Sequence, residues 1–312
     1  MTTFAVIIPC YNAENHLAET LESVLAQTFT DWQAILIDDG STDNTPDIIN
    51  AYIAKDSRFS TIRQSNCGPS AARNRAARLP REAPFLAFLD ADDLWVPEKL
   101  ALSLGAFWSP SKPDAVYGKV NFFTHDFLSH KTISSIPEGR LHLSKVLGEN
   151  PVCTLSNLCI RRGVFLGKCG FDETLTHSED LEFLIRIVSQ RVHIESIDKL
   201  LVHYRTSTNG LSADLDEMHA GWQRAAASAY RSGTILTPEE YDHAEAIHLR
   251  YLARRALRTN TSPLIAMRLA LCGLCKCPSA FLSDPYRGWM TLLACLIAPI
   301  LPPAIRKSAF SE

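Results

Sequence analysis

The first half of the chain alternates short β-rich apolar runs with segments of helical periodicity, and that alternation leaves few folds open. Phe4 to Pro9 (FAVIIP) reads as a strand. Asn12 behind it reads as the cap of a helix on which Leu17, Leu21, Val24 and Leu25 recur at helical spacing. Trp32 to Asp38 (WQAILID) is the next strand and ends in the polar turn DDGSTDNTP, where Thr45 can cap a helix carrying Pro46 in its first turn. Phe59 to Gln64 and Phe85 to Leu89 follow as strands around an Ala/Arg-rich helix at 70–78. Strands alternating with helices imply βαβ crossovers and an α/β fold, a mainly parallel sheet flanked by helices. Ligands of such sheets bind beyond the carboxyl ends of the strands. The polar clusters Tyr11–Asn12, Asp38–Asp39 and Asp90 to Asp93 all fall there.

The stretch 110–205 is less regular, with strands expected at 157–161 and 192–203 around a helix at 179–190. Helices are then expected at Ala213–Arg231, Pro238–Arg258, Pro263–Lys276 and Tyr286–Ala298. The 312 residues therefore divide into a catalytic domain at 1–210 and a helical C-terminal region at 211–312. With 46% hydrophobic and 21% charged residues and a net charge of −3, the chain has an ordinary core and no global pull towards nucleic acid. No secretory signal precedes Phe4, so the nine cysteines are expected as free thiols in a reducing compartment. Cys272, Cys275 and Cys277 lack a second pair to complete four zinc ligands and read as ordinary helical cysteines.

Asp90-Ala91-Asp92-Asp93 follows the apolar run FLAFL. If strand geometry persists past Leu89, Asp90 and Asp92 face one side, where two hard oxygen ligands suit Mg²⁺ or Mn²⁺ held partly by substrate phosphates. The competing reading is an aspartate-rich turn capping a helix at Pro97. Asp38 and Asp39 close the second strand, a position from which a carboxylate recognises a ribose hydroxyl or base N–H; an Asx-turn is the alternative, with Asp43 in that role. The absence of GxGxxG after the first strand and of GxxxxGK[ST] anywhere disfavours dehydrogenase and P-loop readings. Gly68 to Asn74 (GPSAARN) opens a helix from which Arg73 can reach a diphosphate or base. On a wheel of about 100° per residue, Asp180 is ringed by Leu181, Phe183, Leu184, Ile185, Ile187 and Val188, with Glu179, Glu182, Arg186 and Gln190 on the opposite arc. A carboxylate centred on a buried face needs a partner or a task. Asp180 is therefore chosen as general base, with backbone capping as the alternative, and Glu179 is expected to point elsewhere.

The ordered set VIIPCYNAENHLAETLESVLAQTF, DWQAILIDDGSTDNT, GPSAARN, FLAFLDADDLW, GFDETLTHSEDLEFLIRI and LVHYR resembles the family 2 glycosyltransferases over about residues 4–205. The resemblance implies a GT-A nucleotide-diphospho-sugar transferase fold and a hexosyl- or N-acetylhexosaminyltransferase. It implies Pro9, Tyr11, Asp39, Arg73 and Asp90 at the nucleotide, Asp90 and Asp92 as the DxD metal site for Mn²⁺ or Mg²⁺ with Asp92 favoured as direct ligand, and Asp180 as the base of an inverting displacement. His203, Tyr204 and Arg205 would border the acceptor or the diphosphate. The QxxRW signature of processive synthases is missing, which favours addition of one sugar. UDP-sugars are the family's commonest donors, and UDP-glucose, UDP-galactose, UDP-N-acetylglucosamine and dTDP-rhamnose all stay open.

The acceptor implied is a glycan or polyprenyl-linked glycan of cell-surface polysaccharide biosynthesis, handled in the cytoplasm or at the inner face of the cytoplasmic membrane. In the tail, Arg250, Arg254, Arg255, Arg258, Arg268, Lys276, Arg287, Arg306 and Lys307 face a single acid, Asp284, and mix with apolar runs such as WMTLLACLIAPIL. That run is too short to span a bilayer. Peripheral membrane contact and a helical cap with homodimer contacts are both left open. The alternative function is an inactive GT-A-like module that binds nucleotide-sugar or glycan. A sugar nucleotidyltransferase is disfavoured because its GxGxRL loop is absent.

Overall fold

A computed structural model describes residues 2–79, 82–124, 132–137, 139–175, 178–206, 214–259 and 262–310. In chain order the elements are β1 (Phe4–Cys10), α1 (Leu17–Leu25), β2 (Trp32–Asp38), α2 (Thr45–Lys55), β3 (Phe59–Arg63), α3 (Gly68–Ala77), β4 (Phe85–Phe88), β5 (Leu94–Trp95) and α4 (Lys99–Phe107). They continue with β6 (Ala115–Phe123), β7 (Thr132–Ile133), α5 (Leu143–Gly148), a 3₁₀ turn (Leu155–Asn157), β8 (Cys159–Arg161), α6 (Arg162–Gly167), α7 (Glu179–Ser189) and β9 (Ile194–Arg205). The remainder is helical: α8 (Leu215–Arg231), α9 (Pro238–Arg258), α10 (Pro263–Lys276), α11 (Pro278–Phe281), α12 (Pro285–Ile297) and α13 (Pro303–Phe310). The expected helix start at Ala213 lies outside the described residues.

Two compact units result. The first comprises Met1–Leu141, Pro151–Phe183 and Gln190–Thr206, and the second His142–Asn150, Leu184–Ser189 and Ser207–Glu312. In the first unit one sheet runs β3-β2-β1-β4-β8-β6-β9-β5, with β7 beside β6. The ladders β3/β2/β1/β4 and β6/β9 are parallel, whereas β8 and β5 run antiparallel to their neighbours. The sheet is thus parallel where βαβ crossovers dictate it and mixed beyond β4.

Central strand β1 is buried on both faces. Phe4, Val6 and Ile8 pack with Leu17, Leu21 and Val24 of α1 and Ile49 of α2, each such side chain contributing about 1.5–3 kcal/mol by leaving water. Ala5 and Ile7 point the other way by the two-residue period. There α3 contacts β1 and β2, and its buried Ala72, Ala76 and Ala77 allow close approach.

Two capping expectations fail for one shared reason. Asn12 has φ 48, a left-handed conformation asparagine tolerates, and its Oδ1 accepts from the Thr42 amide at 2.9 Å rather than from a helix turn. Thr45 is already the first residue of α2; its Oγ1 accepts from the Ala13 amide at 2.8 Å, and Asp43 Oδ1 receives the Thr45 amide at 3.0 Å. The loops after β1 and β2 brace each other, so their polar side chains serve the loop pair instead of the helix ends.

Candidate active site

The carboxyl ends of β1, β2 and β4 open onto a group of charged side chains, with Arg73 from α3 and Glu179 and Asp180 from α7. At the end of β1, Pro9 is partly buried and Tyr11 exposes half its surface. At the end of β2, the Asp39 amide donates to the Cys10 carbonyl at 2.8 Å. Its carboxylate, almost fully buried, accepts from Gln64 Nε2 (2.8 Å), the Cys67 amide (2.9 Å) and the Gly68 amide (2.8 Å). Asp39 therefore anchors the first turn of α3 to β2. Asp38 serves its own turn: Oδ1 accepts from the Ser41 amide at 2.8 Å and Oδ2 pairs with Arg63 at 3.2 Å.

From α3, Arg73 enters the centre of the group. Its guanidinium is buried, and its fork joins two carboxylates: Nη2 donates to Asp90 Oδ1 at 2.6 Å and Nη1 to Glu179 Oε1 at 3.1 Å. Burial opposes the Arg73 cation, but the charges of Asp90 and Glu179 outweigh it and raise its pKa. One turn of α7 holds both Glu179 and Asp180. Burial and then the Glu179 charge lift the Asp180 carboxyl to about 7, against a smaller opposing pull from Arg73. Asp180 is thus a carboxyl whose proton is exchangeable near neutrality, a property suited to a general base.

Two sequence expectations on α7 need correction. Glu179 does not point away; it shares Arg73 with Asp90 and perturbs Asp180 directly. Glu182, placed on the polar arc by the wheel, is buried. A wheel reports angle only, and at a helix's first turn the side chains leave towards whatever precedes the helix. Asp180 itself keeps partial exposure, beside fully buried Phe183.

The DADD turn is built differently from a helix cap, since α4 begins only at Lys99. Asp93 is the buried member: Ser156 Oγ donates to it at 2.6 Å, Thr154 Oγ1 at 3.2 Å and the Arg205 amide at 2.9 Å. Burial followed by the charges of Asp92 and Asp90 pushes the Asp93 carboxyl well above the usual range. Asp92 is pushed to about 6 by burial and then by Asp90. The Asp90 amide donates to Ser156 Oγ at 2.9 Å, and Thr20 Oγ1 donates to the carbonyls of Ala91 and Asp93. Thr154 and Ser156 were not singled out from sequence, although hydroxyls inside the apolar stretch CTLSNLCI hinted at buried partners.

Asp90 and Asp92 fit a divalent cation. They are hard-oxygen donors held in one turn, and their mutual repulsion is what a cation would relieve. Among the described residues no group of three or more His, Cys, Asp or Glu has metal-holding geometry. Asp90 and Asp92 would supply two carboxylates, with the other positions left to water and phosphate oxygens.

From β9, Arg205 closes the rim of the turn: its Nε donates to the Asp92 carbonyl at 3.0 Å, its Nη2 to Glu19 at 2.5 Å, and its guanidinium lies 4.6 Å from the Phe123 ring centre. His203 Nδ1 lies 3.0 Å from Asn121 Nδ2, and Tyr204 meets Phe122 edge-on at 5.7 Å. Of the acceptor-side trio, Arg205 contacts the acidic turn directly.

Asn74, one residue past Arg73, was missed as well. Its Nδ2 donates to the Phe171 carbonyl at 2.9 Å, and its Oδ1 accepts the Phe171 amide at 2.8 Å. This clamp ties α3 to the GFDE loop leading into α7, and Phe171 packs on Phe88, Phe165 and Phe183.

The mixed sheet flanked by helices, with acidic side chains at the carboxyl ends of its parallel strands, has the GT-A fold of nucleotide-sugar transferases. The sequence profile of glycosyl transferase family 2 matches residues 5–166, and the chain belongs to that family; it is a glycosyltransferase. It is 29% identical over 215 residues, 69% of this chain and 81% of the relative, to the UDP-Glc:alpha-D-GlcNAc-diphosphoundecaprenol beta-1,3-glucosyltransferase WfaP of Escherichia coli. Among solved structures, the fold is similar to S. aureus TarS in complex with UDP-GlcNAc (TM-score 0.61, 20% identity, 99% of this chain and 89% of that one). It is likewise similar to the mannosyltransferase PcManGT of Pyrobaculum calidifontis in complex with GDP-Man and Mn²⁺ (TM-score 0.60, 21% identity, 99% and 88%).

Proposed function

We propose that the chain is an inverting transferase that moves one sugar from a nucleoside diphosphate, a UDP-sugar in our reading, onto a hydroxyl of a glycan or lipid-linked glycan in cell-surface polysaccharide biosynthesis. One observation carries the reading: the Asp180 carboxyl, lifted to about 7, adjoins the Glu179–Arg73–Asp90 bridge, whose arginine is buried. The donor named for the WfaP relative and the nucleotide-sugar complexes of the structural neighbours support a nucleotide-sugar in this position. The diphosphoundecaprenol acceptor in the WfaP name supports a lipid-linked acceptor, which would place the work at the cytoplasmic face of the membrane.

In this mechanism Asp180 takes the proton of the acceptor hydroxyl while that oxygen attacks the anomeric carbon. The bond from the anomeric carbon to the diphosphate oxygen breaks on the opposite face, and its electron pair leaves with the nucleoside diphosphate. Pro9 and Tyr11 form one side of the nucleoside pocket, and Asp39 uses its remaining lone pairs on the base. Arg73 orients Asp90 and holds positive charge near the departing diphosphate. Mn²⁺ or Mg²⁺ bound by Asp92 and Asp90 would neutralise charge on that diphosphate. His203, Tyr204 and Arg205 border the acceptor or diphosphate.

Calorimetric titration with a panel of nucleotide-sugars in the presence of Mn²⁺ tests the donor assignment, and binding to none of them would sink the transferase reading. Asp180→Asn is expected to bind the same donor yet lose transfer by about 10²–10⁴-fold. Full transfer by that variant would remove Asp180 as the base, and the anomeric configuration of the product by NMR decides inversion.

A further inference from the structure

On α12 the side chains of Tyr286, Trp289, Met290, Leu293, Leu296 and Ile297 follow one another at three- and four-residue steps, and each exposes about half its surface or more. Ile300, still more exposed, continues the stripe past the helix end. No charged residue interrupts it. On α10, Leu264, Ile265 and Leu271 are exposed as well. Between the two helices runs an apolar groove of about 200 Å³ lined by Met267, Leu271, Leu274, Trp289, Leu293 and Leu296. Contiguous exposed apolar surface of this kind marks a docking surface. The helix has 13 residues, far short of the roughly 20 that span a bilayer, and no described helix is long and apolar enough to cross one.

The charges around the stripe select its occupant. From Arg250 to Lys307 the sequence has nine Lys and Arg against Asp284 alone, although the whole chain carries −3. Part of that excess is neutralised internally: Arg250, Arg254 and Arg287 converge on Glu149, Arg287 also meets Asp284, and Lys276 pairs with Asp242 and Glu245. Arg268 is left over, exposed on α10 one turn from Leu264 and from Leu271, with no ion pair among the described residues. Arg258, exposed at the end of α9, is likewise left without one. That pairing takes up Glu149 and Asp284 alike, so among the described residues the face is apolar with the unpaired cation of Arg268 beside it. A second copy of the chain would bring the same cations against each other across a two-fold interface. An anionic bilayer surface satisfies both features at once, as apolar side chains enter the acyl boundary and cations meet lipid phosphates. Tyr286 and Trp289 at one end of the stripe are amphipathic rings of the type that settle at headgroup level.

We propose that the α10–α12 face is a monotopic membrane-docking surface for anionic phospholipid, with the apolar groove receiving an acyl chain. The inference deepens the reading of a lipid-linked acceptor by naming where the enzyme meets the membrane, yet the surface is independent of catalysis. The experiment is flotation of the purified 312-residue chain with phosphatidylcholine vesicles, with and without phosphatidylglycerol. Binding is expected only with phosphatidylglycerol and weakens as salt rises. Leu293→Glu and Leu296→Glu together, at exposed positions that keep the thermal transition and donor binding, are expected to lower vesicle affinity about tenfold or more. Arg268→Glu is expected to weaken binding to anionic vesicles alone. Asp180→Asn must still float, so loss of transfer chemistry and loss of docking are separable. Absence of binding to phosphatidylglycerol vesicles overturns the proposal. So does a dimer, measured by light scattering, that the double variant splits while vesicle binding stays unchanged.

Discussion

At the scale of single residues, burial, Glu179 and Arg73 together set the proton affinity of Asp180, the base proposed above. Burial is the larger cause of its elevation to about 7, and Glu179 the next. With Asp180 as the proposed base, which must be ionised to act, transfer is expected to climb with pH through a midpoint near 7 and to be lost below it. Glu179→Gln removes a negative neighbour and frees more of the Arg73 charge, and both changes favour ionised Asp180. The acid limb of the pH–rate profile should then move to lower pH, by about one unit. A limb that stayed in place, or moved upward, would detach it from Asp180. The helical wheel found Asp180 because its neighbours form an apolar ring, a pattern that survives in sequence. Glu179 was illegible, since its partner Arg73 lies 106 positions earlier in the chain and only the fold brings them together.

At the scale of elements, strands and helices with strong periodicity were read close to their observed ends; β2, α9 and α10 match residue for residue. Elements defined by long-range pairing were not readable. The two residues of β5 exist only through their ladder with His203 and Val202 of β9. Asn157, expected in a strand, ends a 3₁₀ turn because its side chain donates to the Gly118 and Val152 carbonyls and accepts from the Gly118 amide. The join of α3 to the loop before α7 is of the same kind and can be tested. Gly170 sits at φ +65, and a Cβ there would lie 2.3 Å from Asn74 Oδ1. Gly170→Ala therefore strains the backbone and displaces the Asn74 clamp on Phe171. Its cost is expected at about 2–3 kcal/mol, read as a lower urea midpoint at unchanged slope. A midpoint within error of the parent would show that the clamp yields freely.

At the scale of the whole molecule, the two compact units interleave along the sequence. The helical character after about residue 213 is plain in sequence, but the inclusion of 142–150 and 184–189 in the second unit depends on packing that no local pattern announces. Within that unit, Trp222 Nε1 donates to the Leu147 carbonyl at 2.7 Å, and Gly148 lies against Ile247 of α9. The most strongly shifted groups of the two units respond to acid in opposite senses. In the second, His248 is buried with its ring 5.1 Å from Trp222 and 5.7 Å from His219, and burial followed by His219 lowers its pKa to about 3. Glu245, lowered to about 2 mainly by its hydrogen bond from His219 and then by Lys276, faces the same cluster beside Tyr241. Below its ordinary value of 6.5 the unfolded chain protonates His248 and the folded unit does not. Stability is therefore lost as pH falls from 6.5 towards 3, by about 1.4 kcal/mol per pH unit. Glu245 adds to the loss below its ordinary 4.5, where the unfolded chain takes a proton that the folded unit refuses. For two raised aspartates of the first unit the sign reverses, against an opposite contribution from His16, whose pKa burial lowers. Asp180 and Asp92, raised to about 7 and 6, hold protons in the folded state that the unfolded chain releases above its ordinary 3.8, so acidification towards that value stabilises this unit. Calorimetry of the metal-free protein should accordingly show the two thermal transitions separating as pH is lowered from about 7 to about 5, the second unit melting first. His248→Gln should flatten the acid slope of the lower transition and leave the upper one unchanged. Transitions that moved together would mean that these groups do not control the acid response of their units.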